Sequence, residues 1–384
     1  ERANQGLERR MASIAVELRA AGWPVETTGL GIEFRTLASG VEPTPKAYLP
    51  AGGMDPPWWR AFREGVLNFS SPPLPGETPL GYYAAWRRSI VLFRGGYGDL
   101  LFPDALVAHE MVHAYQHQER QTLTPEWVAK LQTVESMNIQ ATLHEGEAEL
   151  GALAYVLRAR GLGFDKVEPS LLRRAFDQGV VGRYARVPYD TGLLYLLAKE
   201  RVGARSGVDR LFRDSPASTE QLLHPETYTG DEPRPVAWPD APLPEGWRVE
   251  AEDVFGELAC HRWLALWLGR QAAWLATTGW DGDSIRVLRH PGHGRASIWL
   301  SVWDREQDAW QFEAAVRKCS SCGVHIRGRT VVCFSAESQA AEPLLAWAHE
   351  HIHSPDADPR AVHRTERTER LWKQRAAPPL VRND

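Results

Sequence analysis

The run Phe102-Pro-Asp-Ala-Leu-Val-Ala-His-Glu-Met-Val-His-Ala-Tyr115 constrains this chain more than any other stretch. It is largely apolar around the pentapeptide His109-Glu110-Met111-Val112-His113, and Pro103-Asp104 supplies a helix start. On a helix, residues four apart share a face, one turn from each other. Two imidazoles so placed have the reach to bind one zinc ion at about 2.0–2.1 Å each. Glu110 follows the first histidine, where its carboxylate is placed to take a proton from a metal-bound water. The pattern is short enough to recur by chance, and His349-Glu350-His351-Ile352-His353 spells it again.

A hydrolytic zinc site takes three protein ligands and leaves its fourth position to water, so a real copy needs one more ligand. Downstream of the first copy lies His144-Glu145-Gly146-Glu147-Ala148-Glu149. Glu145 and Glu149 share a helix face, while Glu147 points elsewhere. Glu145 is expected to complete the site, and Glu149 to accept the outer N–H of a ligand histidine and fix its tautomer. Glu149 itself and Glu135 are the alternative third ligands. The second copy runs into Ser354-Pro355 and a charged tail, where Asp356, His363 and Glu366 have no packed helix to position them. Its histidines read as polar helix-end residues. His117 lies about 12 Å along the helix axis from His109, too far to share an ion with both histidines. It and His144 read as packed or solvated.

With these residues in place, the chain resembles the gluzincins, zinc peptidases in which a second helix supplies a glutamate to the two histidines. Glu145-Gly146-Glu147-Ala148 is similar to the Glu-Gly-Phe-Ala of aminopeptidase N and its relatives, and Glu145…Glu149 to the Glu-x-x-x-Asp of thermolysin. His109-Glu-Met-Val-His-Ala-Tyr-Gln-His-Gln118 and Ala141-Thr-Leu-His-Glu-Gly-Glu-Ala148 also resemble a set of bacterial zincin-like proteins. That likeness continues through Pro188-Tyr-Asp-Thr-Gly192 and Ser218–Tyr228. The 31 residues between His113 and Glu145 exceed the spacing of the well-known gluzincins, and a helix starting at Pro125 takes up the difference.

The resemblance implies a zincin-like zinc metallopeptidase that hydrolyses peptide or protein substrates. Zn2+ is held by His109, His113 and Glu145, Glu110 acts as general base, and Glu149 orients a ligand histidine. Tyr189 is the first candidate, and His224 the second, for a donor to the tetrahedral oxyanion. Strand 89–93 is a candidate to pair with an extended substrate, as zincin edge strands do. Gly52-Gly53-Met54-Asp55 faintly echoes the segment by which aminopeptidases hold a free N-terminus. Two other functions fit the same residues: a catalytically silent zincin-fold binding protein, and a zinc hydrolase of non-peptide bonds.

The expected fold class is α+β. Residues 1–228 form a mostly helical metallopeptidase domain, with a small β-region at about 80–94 and metal helices at 104–119 and 138–160. Further helices are expected at 8–21, from Pro125, and at 190–202 and 206–213. The Pro-rich stretch 229–247 reads as a linker. A smaller α+β C-terminal domain follows at 248–353, with a helix at 251–277, a loop at 279–283, strands at 284–289, 296–303 and 329–334, and a helix capped by Asp304. Residues 354–384 form a charged tail.

A net charge of −5 without a long basic run argues against nucleic acid as a partner. No stretch approaches the roughly 18 apolar residues of a membrane span. Cys319-Ser-Ser-Cys322, with His325 and Cys333 nearby, has the spacing of a redox pair or half a zinc site. Buried thiols or disulfides are the plainer reading. Four cysteines, an even number, favour a secreted or periplasmic setting slightly over the cytoplasm. The chain starts at Glu1; a removed signal peptide and a shortened chain both give such a start, leaving the compartment open.

Overall fold

The computed structural model describes residues 2–36, 57–67, 80–94, 103–164, 167, 187–199, 205–225, 232–337 and 341–352. The Gly52–Asp55 echo, Tyr228, His353 and the tail lie outside the described residues. Among the described residues the fold is α+β with two sheets. The chain divides into two compact units. One is Glu1–Met54, Leu74–Gln132 and Ser136–Pro216; the other is Asp55–Pro73, Thr133–Glu135 and Ala217–Asp384.

In the first unit, the strands β1 (Gly31–Thr36), β2 (Gly81–Ala84) and β3 (Ser89–Arg94) form a sheet of order β1-β3-β2. β3 pairs parallel with β1 and antiparallel with β2. Its Ile90-Val-Leu-Phe93 is buried throughout, as four consecutive apolar residues with both faces covered should be. The segment 89–93 expected to meet a substrate at an edge is therefore central, with both of its ladders taken. β2 borders the helix that carries the pentapeptide more extensively than β3 does.

That helix runs Pro103–Arg120, preceded in the chain by the N-terminal helix Arg2–Ala20. Thr124 then caps the short helix Pro125–Val128, accepting the Trp127 N–H at 3.2 Å. The helix Val134–Ala159 starts four residues before the expected position and stops ahead of Gly161, whose φ of +65° only glycine adopts freely. Val187–Lys199 and Arg205–Arg213 complete the described α-helices of this unit. Val134–Ala159 is mostly buried from Thr142 to Ala154, so its neighbours need gaps in its surface. Gly146 supplies one: a Cβ there would meet the backbone carbon of Gly192 at 2.3 Å. Gly151 supplies another, where a Cβ would meet Val112 Cγ2 at 2.4 Å. These two glycines fix where Val134–Ala159 crosses Val187–Lys199 and Pro103–Arg120.

The second unit is built on an antiparallel sheet of order β4-β5-β6-β8-β7. Its strands are β4 (Arg248–Asp253), β5 (Trp280–His290), β6 (Gly294–Trp303), β7 (Gly323–Arg327) and β8 (Thr330–Ala336). Alternation along β6 sends Trp299 and Trp303 into one core and Ile298 and Leu300 into the other. The helices Pro57–Gly65, Glu257–Leu268, Arg270–Thr277 and Glu306–Cys319 contribute to the first core. Glu342–His351 contributes Leu344, Trp347 and Ala348 to the second.

Several expectations change here. The supposed helix 251–277 is β4 followed by two helices broken at Gly269 (φ +79°), because glycine punctuates the apolar pattern. Most of the supposed loop 279–283 is the start of β5. Arg305, not Asp304, is the N-cap of Glu306–Cys319, and it makes no side-chain cap hydrogen bond. The described part of the supposed linker, 232–247, has no helix or strand but is laid against the sheet. Val236, Trp238 and Leu243 pack on the second core, and the Trp238 indole donates to Ser284 Oγ at 2.8 Å. Its prolines keep the segment extended, while the apolar residues between them give it something to bury. Among the described residues, no helix is long and apolar enough to cross a membrane.

Candidate metal centre

Pro103–Arg120 turns His109 and His113 towards Glu145 of Val134–Ala159. His109 Nε2 lies 3.2 Å from His113 Nε2 and 3.2 Å from Glu145 Oε2. His113 Nε2 lies 3.3 Å from the same Glu145 oxygen. Three donor atoms thus form a nearly equilateral triangle. Among the described residues, this is the group of histidine, cysteine and acidic side chains that could hold a metal ion.

The charges agree with that placement. Burial opposes protonation of His113, but the Glu145 carboxylate outweighs it and raises the imidazole to about 9. His109 is raised in the same way, against burial and the neighbouring His113. Burial likewise disfavours the Glu145 anion, yet His113 and His109 pull its carboxyl well below the usual range. The pocket is built to surround positive charge.

His113 is also held from behind. Gln116, one turn further along, lies with Oε1 at 2.8 Å from His113 Nδ1. Its amide nitrogen donates to the His144 carbonyl at 3.0 Å and to Glu147 Oε2 at 2.8 Å. Both partners only accept, so the amide has one sensible orientation and its oxygen must face the imidazole. His113 therefore carries a proton on Nδ1, and its Nε2 lone pair faces the triangle when the ring is neutral. The chain continues: Glu147, fully buried, receives Arg120 at 2.5 and 2.9 Å and the Trp23 indole at 3.1 Å. Arg120 also donates to Asp209 at 2.6 Å. Glu149 sits 3.7 Å from His109 Nδ1, close enough for charge attraction but longer than a hydrogen bond.

Glu110 is buried beside the triangle and next to β2. Burial raises its carboxyl above the ordinary range; His109 and His113 oppose this, Glu145 adds to it, and the Tyr83 N–H lowers it. A Cβ on Gly81 would stand 3.7 Å from Glu110 Oε1, so this strand passes directly over the carboxylate. Tyr189 stacks its ring on His109, with centroids 5.8 Å apart and planes 24° apart. The contact of Gly146 with Gly192 brings Tyr189 there, because both lie on the helix Val187–Lys199, three residues apart.

The structure thus gathers His109, Glu110, His113, Glu145, Glu149 and Tyr189 in one unit. It does not gather the others. His224 belongs to the second unit, where Nε2 lies 3.0 Å from both Glu257 oxygens in a closed interior. Glu135 is ten residues before Glu145, about 15 Å along the helix, and accepts the Thr219 N–H and hydroxyl. His117 meets the Tyr83 hydroxyl at 2.8 Å. His144 is buried between Trp127 and Phe212, with Nδ1 donating to the Gln140 carbonyl. In the second copy, His351 Nδ1 donates to the Trp347 carbonyl and His349 lies against His325.

Sequence reasoning missed Gln116, Glu147 and Arg120. Gln116 carried a usable signal, being three residues past His113 and so on its face. Glu147 did not, since two residues from Glu145 is the opposite side of the helix.

No curated protein and no solved structure matches the chain. A family model described as "Domain of unknown function (DUF8575)" matches residues 247–342, a segment within the second unit.

Proposed function

We propose that the chain is a zinc-dependent peptidase with a zincin-like first unit of the gluzincin kind. One observation carries the reading. A tetrahedral ion with bonds of about 2.0–2.1 Å separates its ligand atoms by about 3.3 Å, and the triangle of His109, His113 and Glu145 measures 3.2, 3.2 and 3.3 Å. Two neutral imidazoles and a carboxylate also suit zinc by donor type.

Bound zinc supplies a Lewis acid that lowers the pKa of water and polarises a carbonyl. Glu110, dry and poised upward in pKa, takes a proton from the attacking water and returns it to the leaving amine. Gln116 holds His113 in the ligand tautomer, and Tyr189, stacked on His109, is the candidate donor to the oxyanion. β2 passes over Glu110, so an extended peptide has a strand to lie along.

The test is Glu110→Gln beside His113→Ala. Glu110→Gln should keep one zinc per chain and lose about 10²–10⁴-fold in cleavage of an unfolded protein; His113→Ala should lose the metal. Equal cleavage by wild type and Glu110→Gln overturns the peptidase reading. Zinc binding without cleavage of any peptide leaves a silent binding fold, and ester cleavage alone leaves a non-peptide hydrolase.

A further inference from the structure

The second unit holds a thiol pair that the metal centre does not use. Cys260, Cys319 and Cys333 are buried in one apolar core, and Cys322, only partly buried, packs against it. Cys333 lies in the middle of β8, opposite Val324 of β7 and Trp299 of β6. Cys322 precedes Val324 by two residues on the segment entering β7, which puts it on the same side as Val324 and diagonal to Cys333. The two thiols are neighbours in this core, and each shifts the titration of the other, with Cys333 the donor and Cys322 the acceptor. Cys319, the other member of the Cys-x-x-Cys spacing, ends the helix Glu306–Cys319 with its side chain in the core.

We infer that Cys322 and Cys333 are a disulfide-forming pair, joined when the protein meets a hydroperoxide. The surroundings divide the roles. The Cys333 hydrogen bond favours the Cys322 thiolate, burial opposes it, and Ser320, the backbone and the Arg317 guanidinium favour it again, leaving the thiol at about 7. Cys333 is pushed up by its donated hydrogen bond and by burial. Cys322 is therefore the attacking sulfur.

The Cys322 thiolate attacks a peroxide oxygen; the O–O bond breaks, a sulfenic acid forms, and the leaving oxygen departs as water or an alcohol. The Cys333 sulfur, giving up its proton, then attacks Cys322. The S–S bond forms, the S–O bond breaks, and the hydroxide leaves as water. Two thiols lose two electrons and the peroxide gains them. The product staples β7, an edge strand of the sheet, to β8, which is already paired on its other side with β6.

The full chain, treated with hydrogen peroxide and digested with trypsin without reduction, tests this. Cleavage after Lys318, Arg327 and Arg329 leaves Cys319 and Cys322 on one peptide and Cys333 on another that begins at Thr330. Mass spectrometry should find these two peptides joined, with the link kept in Cys319→Ser and absent in Cys322→Ser. Cys333→Ala should accumulate the sulfenic acid on Cys322, trapped with dimedone. An internal Cys319–Cys322 link, a link surviving Cys322→Ser, or free thiols throughout in the folded, peroxide-treated protein would each overturn the inference.

Discussion

Replacing Gly146 by alanine sets two effects against each other. Alanine is the better helix former by about 1 kcal/mol, so on an open helix the change stabilises. At this crossing the added Cβ would lie 2.3 Å from the Gly192 carbonyl carbon and 2.5 Å from its Cα. Carbon atoms rest at about 3.5–4.0 Å, so the two helices must part by about 1 Å. The obstruction is backbone, which cannot swing aside like a side-chain tip. Overpacking costs about 1–3 kcal/mol where side chains can adjust and more where they cannot. We expect a net loss of about 2 kcal/mol, a fall in Tm of roughly 4–8 °C for a unit of this size. Zinc affinity should fall as well, because Glu145 is adjacent and Tyr189 rides on the displaced helix. Calorimetry with and without zinc measures both, and the transition that shifts with zinc identifies the first unit. Gly6→Ala, with nothing within 4 Å of the new methyl, is the control and should not lower Tm. A Gly146→Ala protein melting at or above wild type would refute the crossing argument.

Gln116→Leu keeps the bulk but removes the acceptor for His113 and one donor to Glu147; zinc affinity should drop about 10–100-fold by competition with a chelating dye, and an unchanged affinity would remove Gln116 from the centre. The second unit should lose stability towards alkaline pH. Burial raises Glu135 to about 8, against the Thr219 hydrogen bonds, and Asp253 to about 7, against the Val134 and Val254 N–H groups. Raised carboxyls favour folding fully below their unfolded values of about 4, and this advantage is lost as pH climbs to about 8. Urea titrations followed by fluorescence of the buried Trp263, Trp280, Trp299 and Trp303 should show it, and Glu135→Gln should flatten it. A flat wild-type profile between pH 4 and 8 would contradict the burial argument.

Legibility in the sequence followed the range of the interactions. His109, Glu110 and His113 lie within one helical turn or so, and the periodicity of a helix is enough to place the two histidines on one face with Glu110 beside them. Glu145 was readable because a ligand set needs a third member and the Glu145/Glu149 pair offers a carboxylate on one face. The Thr124 cap and Pro125 start were local too. What stayed hidden was set by partners distant in the chain. β3 reads as a strand, but only the arrival of β1 from Gly31–Thr36 makes it central. The apolar residues at 236, 238 and 243 were masked by the prolines among them. Gly146 looked like part of a motif, yet its demand comes from Gly192, which no spacing rule connects to it.

Glu145, Gly146 and Glu147 are consecutive, and each answers to a different neighbour: the histidines, the backbone of Gly192, and the buried Arg120. A helix gripped on three sides has neither rotation nor translation left to it. Inserting one residue ahead of Glu145 would turn all three by about 100° and present each to the wrong partner. On the proposed reading, the place for an ion is therefore set by packing before any ion arrives. Metal then adds to the stability of an already finished structure in proportion to its affinity and concentration, and chelation should leave the first unit folded.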